Sequence, residues 1–435
     1  MTTMGWMSRR FLRVAGIAAL IALFAASVGA IDMAAPGMPD GTDFGLDRRE
    51  QPRQVLGAEA AGGRQSYMVA LGNTAFSSPL LFGAKAREAG LSCDTCHTNG
   101  DVNQRFFIPG VSVRHGGLDP TTAFFNPVQD DGVQNHVDIP SLRGIRYLGP
   151  YGRDGRIGSL REFTRHVIVN EFAGPEPDPR ILDALVAYMD QFEFLPNLRL
   201  DTLGRLTGTV SAAERRGEAL FAKPLAAMGG KSCASCHVPD ALFTDGRRHD
   251  VGSGGVFKTP TLLNVDFTAP YFHDGRYDTI EAAIDHFDRT FALKLSRAEK
   301  ADLAAYVRAV GDGEGPFEPV TRQSEMSEVA SYVAALDRAI ATGDRPAAVL
   351  IADTVNFDLA RIARRFDNRN PATGLARRPD RPDVAKIAAQ LIEDMTQVKA
   401  EAEAGRAQEA KVALEAYRGH AKLLVSAYPG TSASP

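Results

Sequence analysis

The chain has 435 residues, enough for two or three domains and a large buried core. Lys and Arg total 49 against 53 Asp and Glu, a net charge of −4, which excludes the basic surplus expected of a nucleic-acid-binding protein. Hydrophobic residues at 44% and charged residues at 23% exclude wholesale disorder, and the four cysteines fall in two tight pairs.

At the N-terminus, Arg9, Arg10 and Arg13 precede an apolar run from Val14 to Ile31 that contains Val28-Gly29-Ala30. Basic residues, an apolar stretch and small residues in that order predict an export signal at 1–30, cleaved after Ala30, followed by a linker over 31–65. The alternative keeps the run as an uncleaved anchor, since it could just span a bilayer. Either reading puts the rest of the chain outside the cytoplasm, in the periplasm.

The first cysteine pair reads Cys93-Asp94-Thr95-Cys96-His97 and the second Cys233-Ala234-Ser235-Cys236-His237. CxxC alone is compatible with zinc, dithiol chemistry or haem attachment. A histidine directly after each pair, downstream of an export signal, selects haem: two thiols add to the porphyrin vinyl groups and the imidazole becomes the proximal iron ligand. Two covalent c-type haems follow, on Cys93, Cys96 and His97 and on Cys233, Cys236 and His237.

The segments after the pairs repeat at an offset of 120 residues. Pro140-Ser141-Leu142 matches Pro260-Thr261-Leu262, and Pro150-Tyr151 with Asp154-Gly155-Arg156 matches Pro270-Tyr271 with Asp274-Gly275-Arg276, so that His166 falls opposite His286. Similar approaches precede each pair, Leu81-Phe82 and Leu220-Phe221. A closing helix is predicted after each, over 181–192 and 300–310, from the spacing of Leu182, Leu185, Val186 and Met189 and of Leu303, Tyr306, Val307 and Val310. The units differ in one respect: His97 to Pro150 is 53 residues and His237 to Pro270 only 33, the surplus including the glycine-flanked loop Ser112-Val113-Arg114-His115-Gly116-Gly117. Such asymmetry suits one haem that reacts and one that relays electrons.

Beyond Pro316, apolar stripes separated by Gly/Pro turns predict four helices, over 329–340, 349–366, 384–398 and 407–424. The expected fold is therefore mainly α. Two tandem cytochrome c-like haem domains, 66–200 and 201–315, are followed by a C-terminal helical bundle, 316–435, whose role could be partner docking, dimerisation or passive cover.

Taken together, the paired CxxCH motifs, Lys258-Thr259-Pro260-Thr261-Leu262-Leu263-Asn264-Val265 and Pro270-Tyr271-Phe272-His273-Asp274-Gly275-Arg276 resemble the bacterial di-haem cytochrome c peroxidase family, which includes MauG, over residues 66–315. The resemblance implies a peroxidatic N-terminal haem, an electron-transferring C-terminal haem and a carboxylate that shuttles the proton needed for heterolysis of the peroxide O–O bond. Glu171 falls near that carboxylate's place, and its mostly apolar setting suits a raised pKa. His115 resembles the family's mobile loop histidine that caps the peroxidatic iron at rest. Arg156 and Arg276 either pair with haem propionates or fix their own turns through Asp154 and Asp274. The family also carries a calcium ion between its domains, for which no residue here is identified.

Two departures accompany the resemblance. Arg153 stands where the family often has a tryptophan between the haems, and the only tryptophan of the chain is Trp6; Tyr147, Tyr151, Tyr271 or direct tunnelling would have to serve instead. No methionine stands at the relay haem's distal place, where Phe287 and His286 lie, so His286 is the expected sixth ligand. The activity implied is reduction of hydrogen peroxide, or its use to oxidise a protein substrate, with a small redox protein as donor and a homodimer as a further possibility. The rival is a non-enzymatic electron carrier in which His166 and His286 close both irons.

Overall fold

The computed structural model describes residues 37–45, 48–58, 60, 65–366 and 382–427. The expected export signal over 1–30, with its arginines and Trp6, lies outside them, as do residues 31–36, 46–47, 59 and 61–64 of the expected linker. All of the described residues belong to the unit that begins at Ala35. Among them no helix is long and apolar enough to cross a membrane.

The chain is mainly helical, and the 120-residue repeat is visible in it. Helix α1 (Tyr67–Phe76) precedes the short helices α2 (Ala84–Glu88) and α3 (Cys93–Cys96), the last a single turn around the first cysteine pair. Helices α4 (Leu160–His166) and α5 (Pro179–Met189) complete the first segment. The second uses α6 (Ala212–Ala222), α7 (Ile280–Thr290) and α8 (Arg297–Gly311). Two 3-10 turns, Ile145–Tyr147 and Val265–Phe267, occupy matched places, each entered from a left-handed residue, Gly144 and Asn264. Two isolated bridges, Tyr151 with Ile157 and Tyr271 with Tyr277, also correspond.

Each segment is held by one helix crossing. α1 lies on α5 and α6 on α8, and a glycine permits each approach: a Cβ on Gly72 would stand 1.9 Å from the Ala184 carbonyl oxygen, and one on Gly217 2.0 Å from that of Asp302. The residue four on from each carbonyl, Tyr188 and Tyr306, is buried over the glycine. α5 and α8 correspond to the expected closing helices. Their partners α1 and α6 were not anticipated.

Three short antiparallel pairs pin loops. β1 (Glu50–Pro52) pairs with β6 (Phe317–Pro319), β2 (Gly117–Leu118) with β3 (Val137–Asp138), and β4 (Arg248–Asp250) with β5 (Val256–Lys258). The last four helices, α9 (Arg322–Thr342), α10 (Arg345–Phe366), α11 (Pro382–Glu403) and α12 (Ala407–Ala427), cover the four expected stripes and extend each of them. Their core of Tyr332, Leu336, Ile351, Val355, Leu391 and Met395 also takes in Leu71 of α1 and Ala184 of α5, and Leu350 of α10 enters the core of the first segment. Thr354 donates to Ser78 Oγ at 2.8 Å, so the contact is polar as well as apolar.

Candidate haem-binding and proton-transfer site

Ser92 starts the first CxxCH turn by donating its N–H to Thr95 Oγ1 at 3.0 Å; Ser232 does the same to Ser235 Oγ at 2.9 Å in the second. One helical turn between the cysteines puts both thiols on the same side. His97 then leaves the helix, and its Nδ1 lies 2.9 Å from the Pro140 carbonyl oxygen. A carbonyl only accepts, so Nδ1 carries the hydrogen and Nε2 of the neutral ring keeps its lone pair, the arrangement of a metal-ligating imidazole. Burial first, and then the charge of Arg153, push the His97 pKa down to about 4, which keeps it neutral. His237 follows the pattern: Nδ1 lies 3.2 Å from Phe243 O, the carbonyl of Pro260 also acts on it, and burial lowers its pKa.

None of the four cysteines is in a disulfide. Burial raises all four thiols, Cys93 to about 12 and Cys233 to about 11, the opposite of the setting that makes a reactive dithiol. Neutral thiols in pairs, each followed by an imidazole that burial keeps neutral, fit covalent haem attachment at both motifs. Among the described residues the one cluster of three candidate metal ligands is Cys236, Asp245 and His249; its sulfur does not suit calcium.

Glu171 ends a π-helical turn, Val167–Glu171, that continues α4. Such turns are rare and concentrate at functional sites. The strand of chain behind it is clamped. Gly83 N–H donates to Phe172 O at 2.9 Å, a Cβ on Gly174 would meet Leu81 O at 2.2 Å, and Phe172 packs on Phe82 and Phe125 with ring centroids 4.7 and 4.9 Å away. The approach residues Leu81-Phe82 therefore back the carboxylate. Its side chain is 16% exposed, with Oε1 3.5 Å from Arg156 Nη2 and 3.8 Å from His166 Nε2. Burial raises its pKa to about 7, against the opposing pull of Arg156.

The structure thus brings Glu171, Arg156 and His166 together. It sets His115 elsewhere: the ring is exposed, stacks on Phe107 at 4.7 Å, and holds Arg105 O at 3.0 Å through Nδ1. Arg114 beside it binds the Gly275 carbonyl oxygen, tying this loop to the second segment's turn. His286, the expected sixth ligand, sits in protein hydrogen bonds. It is buried, with Nδ1 2.9 Å from Tyr277 Oη and Nε2 2.7 Å from Val251 O, so both ring nitrogens are already engaged by the protein. Arg276 is bound to both Asp274 oxygens and to Ser253 O, and Arg156 to Asp154 Oδ1 at 3.1 Å, so each contacts the carboxylate of its own turn.

One set of contacts, joining Asp138, Arg153 and Lys258, was not anticipated from the sequence. Arg153 Nη2 donates to both the carbonyl and Oδ2 of Asp138 at 2.5 Å, and the Arg153 carbonyl accepts Lys258 N–H at 3.0 Å. Lys258 Nζ reaches Pro150 O at 2.6 Å. Asp138 and Lys258 each stand two residues before the proline that serves a CxxCH histidine, and their opposite charges at matched positions were the available signal.

Residues 211–342 match the family model for di-haem cytochrome c peroxidase. The gamma subunit of hydrazine synthase from Kuenenia stuttgartiensis is 26% identical, covering 44% of this chain and 69% of that one. The xenon-pressurised hydrazine synthase structure from the same organism aligns with a TM-score of 0.41 at 22% identity, over 65% of this chain and 98% of the other, too weak a likeness to place the fold. MauG from Methylophilus methylotrophus is 28% identical over 56% of this chain and 82% of its own length. MauG from Methylorubrum extorquens is 30% identical, but the match spans only 35% of that protein and 23% of this one. The resemblance carried by the motifs is therefore shown: residues 211–342 match the di-haem cytochrome c peroxidase model, and the chain is similar to proteins of that family, MauG among them.

Proposed function

We propose that the protein is a periplasmic oxidoreductase with two covalent c-type haems, one in each of the domains 66–200 and 201–315, that reduces hydrogen peroxide or uses it to oxidise a partner protein. Cys93, Cys96 and His97 would hold the reacting haem, and Cys233, Cys236 and His237 the relaying one. When bound, the haems supply a site for peroxide and two one-electron centres.

The observation that carries this reading is Glu171. It is a largely buried carboxylate on a rigid π-turn, titrating near pH 7, with Arg156 and His166 at its mouth. A group with that pKa can take a proton from peroxide and return it to the departing oxygen. Arg156 orients Oε1 and favours its ionised form. His166, 36% exposed, stands on the solvent side of the carboxylate. The electron-carrier alternative needs His166 and His286 as iron ligands, yet His286 has both nitrogens engaged and His166 faces Glu171. Electrons would come from a small redox protein or from the oxidised protein substrate.

Rapid mixing of the half-reduced holoprotein with hydrogen peroxide tests the proposal. The expected result is a fast change in the spectrum of one haem that Glu171→Gln slows at least a hundredfold. Two low-spin haems that peroxide leaves unchanged would establish the carrier instead.

A further inference from the structure

Seven buried side-chain polar atoms lack a partner among the described residues, and four of them, His136 Nε2, Asp138 Oδ1, Arg153 Nε and His273 Nδ1, belong to residues linked electrostatically through Asp138 and Asp274. His136 stands one residue before β3, two before Asp138. Asp138 N–H donates to His273 O at 2.9 Å, and Arg153 holds the other Asp138 oxygen. These contacts lie at the seam between the two CxxCH segments, walled by Phe257, whose ring stacks on His273 at 3.7 Å.

The tautomers narrow what the seam can receive. Val113 N–H donates to His136 Nδ1 at 3.3 Å, so the neutral ring must carry its hydrogen on Nε2, the unpartnered atom. Arg153 Nε is always a donor. Two buried donors without acceptors call for an oxygen acceptor; the cations Arg114, Arg153 and Lys258 around the seam face the carboxylates Asp119, Asp138 and Asp274, the last already bound by Arg276.

We propose that this seam seats a carboxylate, and specifically a propionate of the porphyrin held at His97, received by Arg153 Nε and His136 Nε2 with His273 Nδ1 beside them. The assignment rests on the haem attachment proposed above. It is directed to His97 because the Arg153 charge acts on that ring, and because Pro140, the partner of His97, lies two residues from Asp138. Asp138, which burial raises to about 7, can present Oδ1 as a hydroxyl donor to the incoming group instead of repelling it. Arg153 is then a positioning residue for the porphyrin at the spot where the related proteins often carry an aromatic side chain.

Resonance Raman spectra and pH-dependent midpoint titrations of the ferric holoprotein test this with Arg153→Gln, Arg153→Lys and His136→Leu. The expected result is a displaced propionate bending band in all three. Arg153→Gln should also lower the midpoint of the first haem while that of the second stays fixed, because a cation facing the porphyrin is lost. Arg153→Lys keeps the charge and should move the band with a smaller midpoint change. Unchanged bands and midpoints in variants that fold and carry haem would overturn the assignment and leave the seam to water. A wild-type protein without porphyrin would overturn the proposed function along with it.

Discussion

Glu171 is where the chemistry can be argued from a single side chain. Its carboxyl is held by the fold with a pKa near 7 against 4.5 in the open chain. The folded state therefore binds more protons between those values, and the stabilisation present below about pH 4.5 is lost as pH rises through 7. Glu171→Gln should raise the midpoint of thermal unfolding above pH 7 and leave it unchanged below pH 4.5, a comparison made by calorimetry at the two pH values. Catalytically the ionised form accepts the peroxide proton, so the reaction with peroxide should accelerate with pH to a plateau above about 7. Arg156→Met removes the charge that favours ionisation and should shift that step to higher pH; an unshifted step would mean that Arg156 serves only its turn with Asp154. The residues expected to hold haem were readable because Cys93, Cys96 and His97 are neighbours in sequence. Glu171 was readable only through a resemblance. The Asp138–Arg153 contact spans 15 residues, and the Lys258 contact to Leu148 spans 110; neither leaves a periodicity in the chain.

At the scale of elements, the two helix crossings turn on Gly72 and Gly217. A methyl group at either would sit about 2 Å from a backbone carbonyl oxygen, so Gly72→Ala and Gly217→Ala must push α1 from α5 or α6 from α8. Overpacking of this kind costs about 1–3 kcal/mol or more. Gly419, inside α12 with open space around its Cβ position, is the control, where alanine should stabilise by about 0.5–1 kcal/mol. Denaturant unfolding of the three variants reads both signs, and a neutral Gly72→Ala would contradict the crossing. The closing helices were legible from apolar residues recurring at helical spacing. α1 and α6 were not, since a glycine in mid-helix reads as a break until its partner is in view. The spacing of Val329, Tyr332, Val333, Leu336 and Ile340 located α9, although its polar first turns, capped by Thr321, lie outside that stripe.

For the molecule as a whole, the last four helices pack on the first segment, each core taking in residues of the other. A Cβ on Gly90 would lie 2.6 Å from the Phe357 ring, Thr354 meets Ser78, and Leu71 and Ala184 are buried with Tyr332 and Leu336. Asp94, inside the first cysteine pair, is raised by burial and feels Arg361 of α10. Deleting residues 316–435 should therefore unfold or precipitate the first segment, as judged by circular dichroism and solubility; a soluble, cooperatively folding remnant would make the extension a separate module. Apolar stripes predicted the four helices, but not the surface they cover, because pattern within a helix does not name its neighbour. Whether two porphyrins are held covalently by unlike sites is tested most directly by mass spectrometry of the mature protein with peptide mapping. Two added haems are expected, one on the peptide containing Cys93 and Cys96 and one on that containing Cys233 and Cys236. Unmodified cysteines at either motif would contradict the di-haem reading.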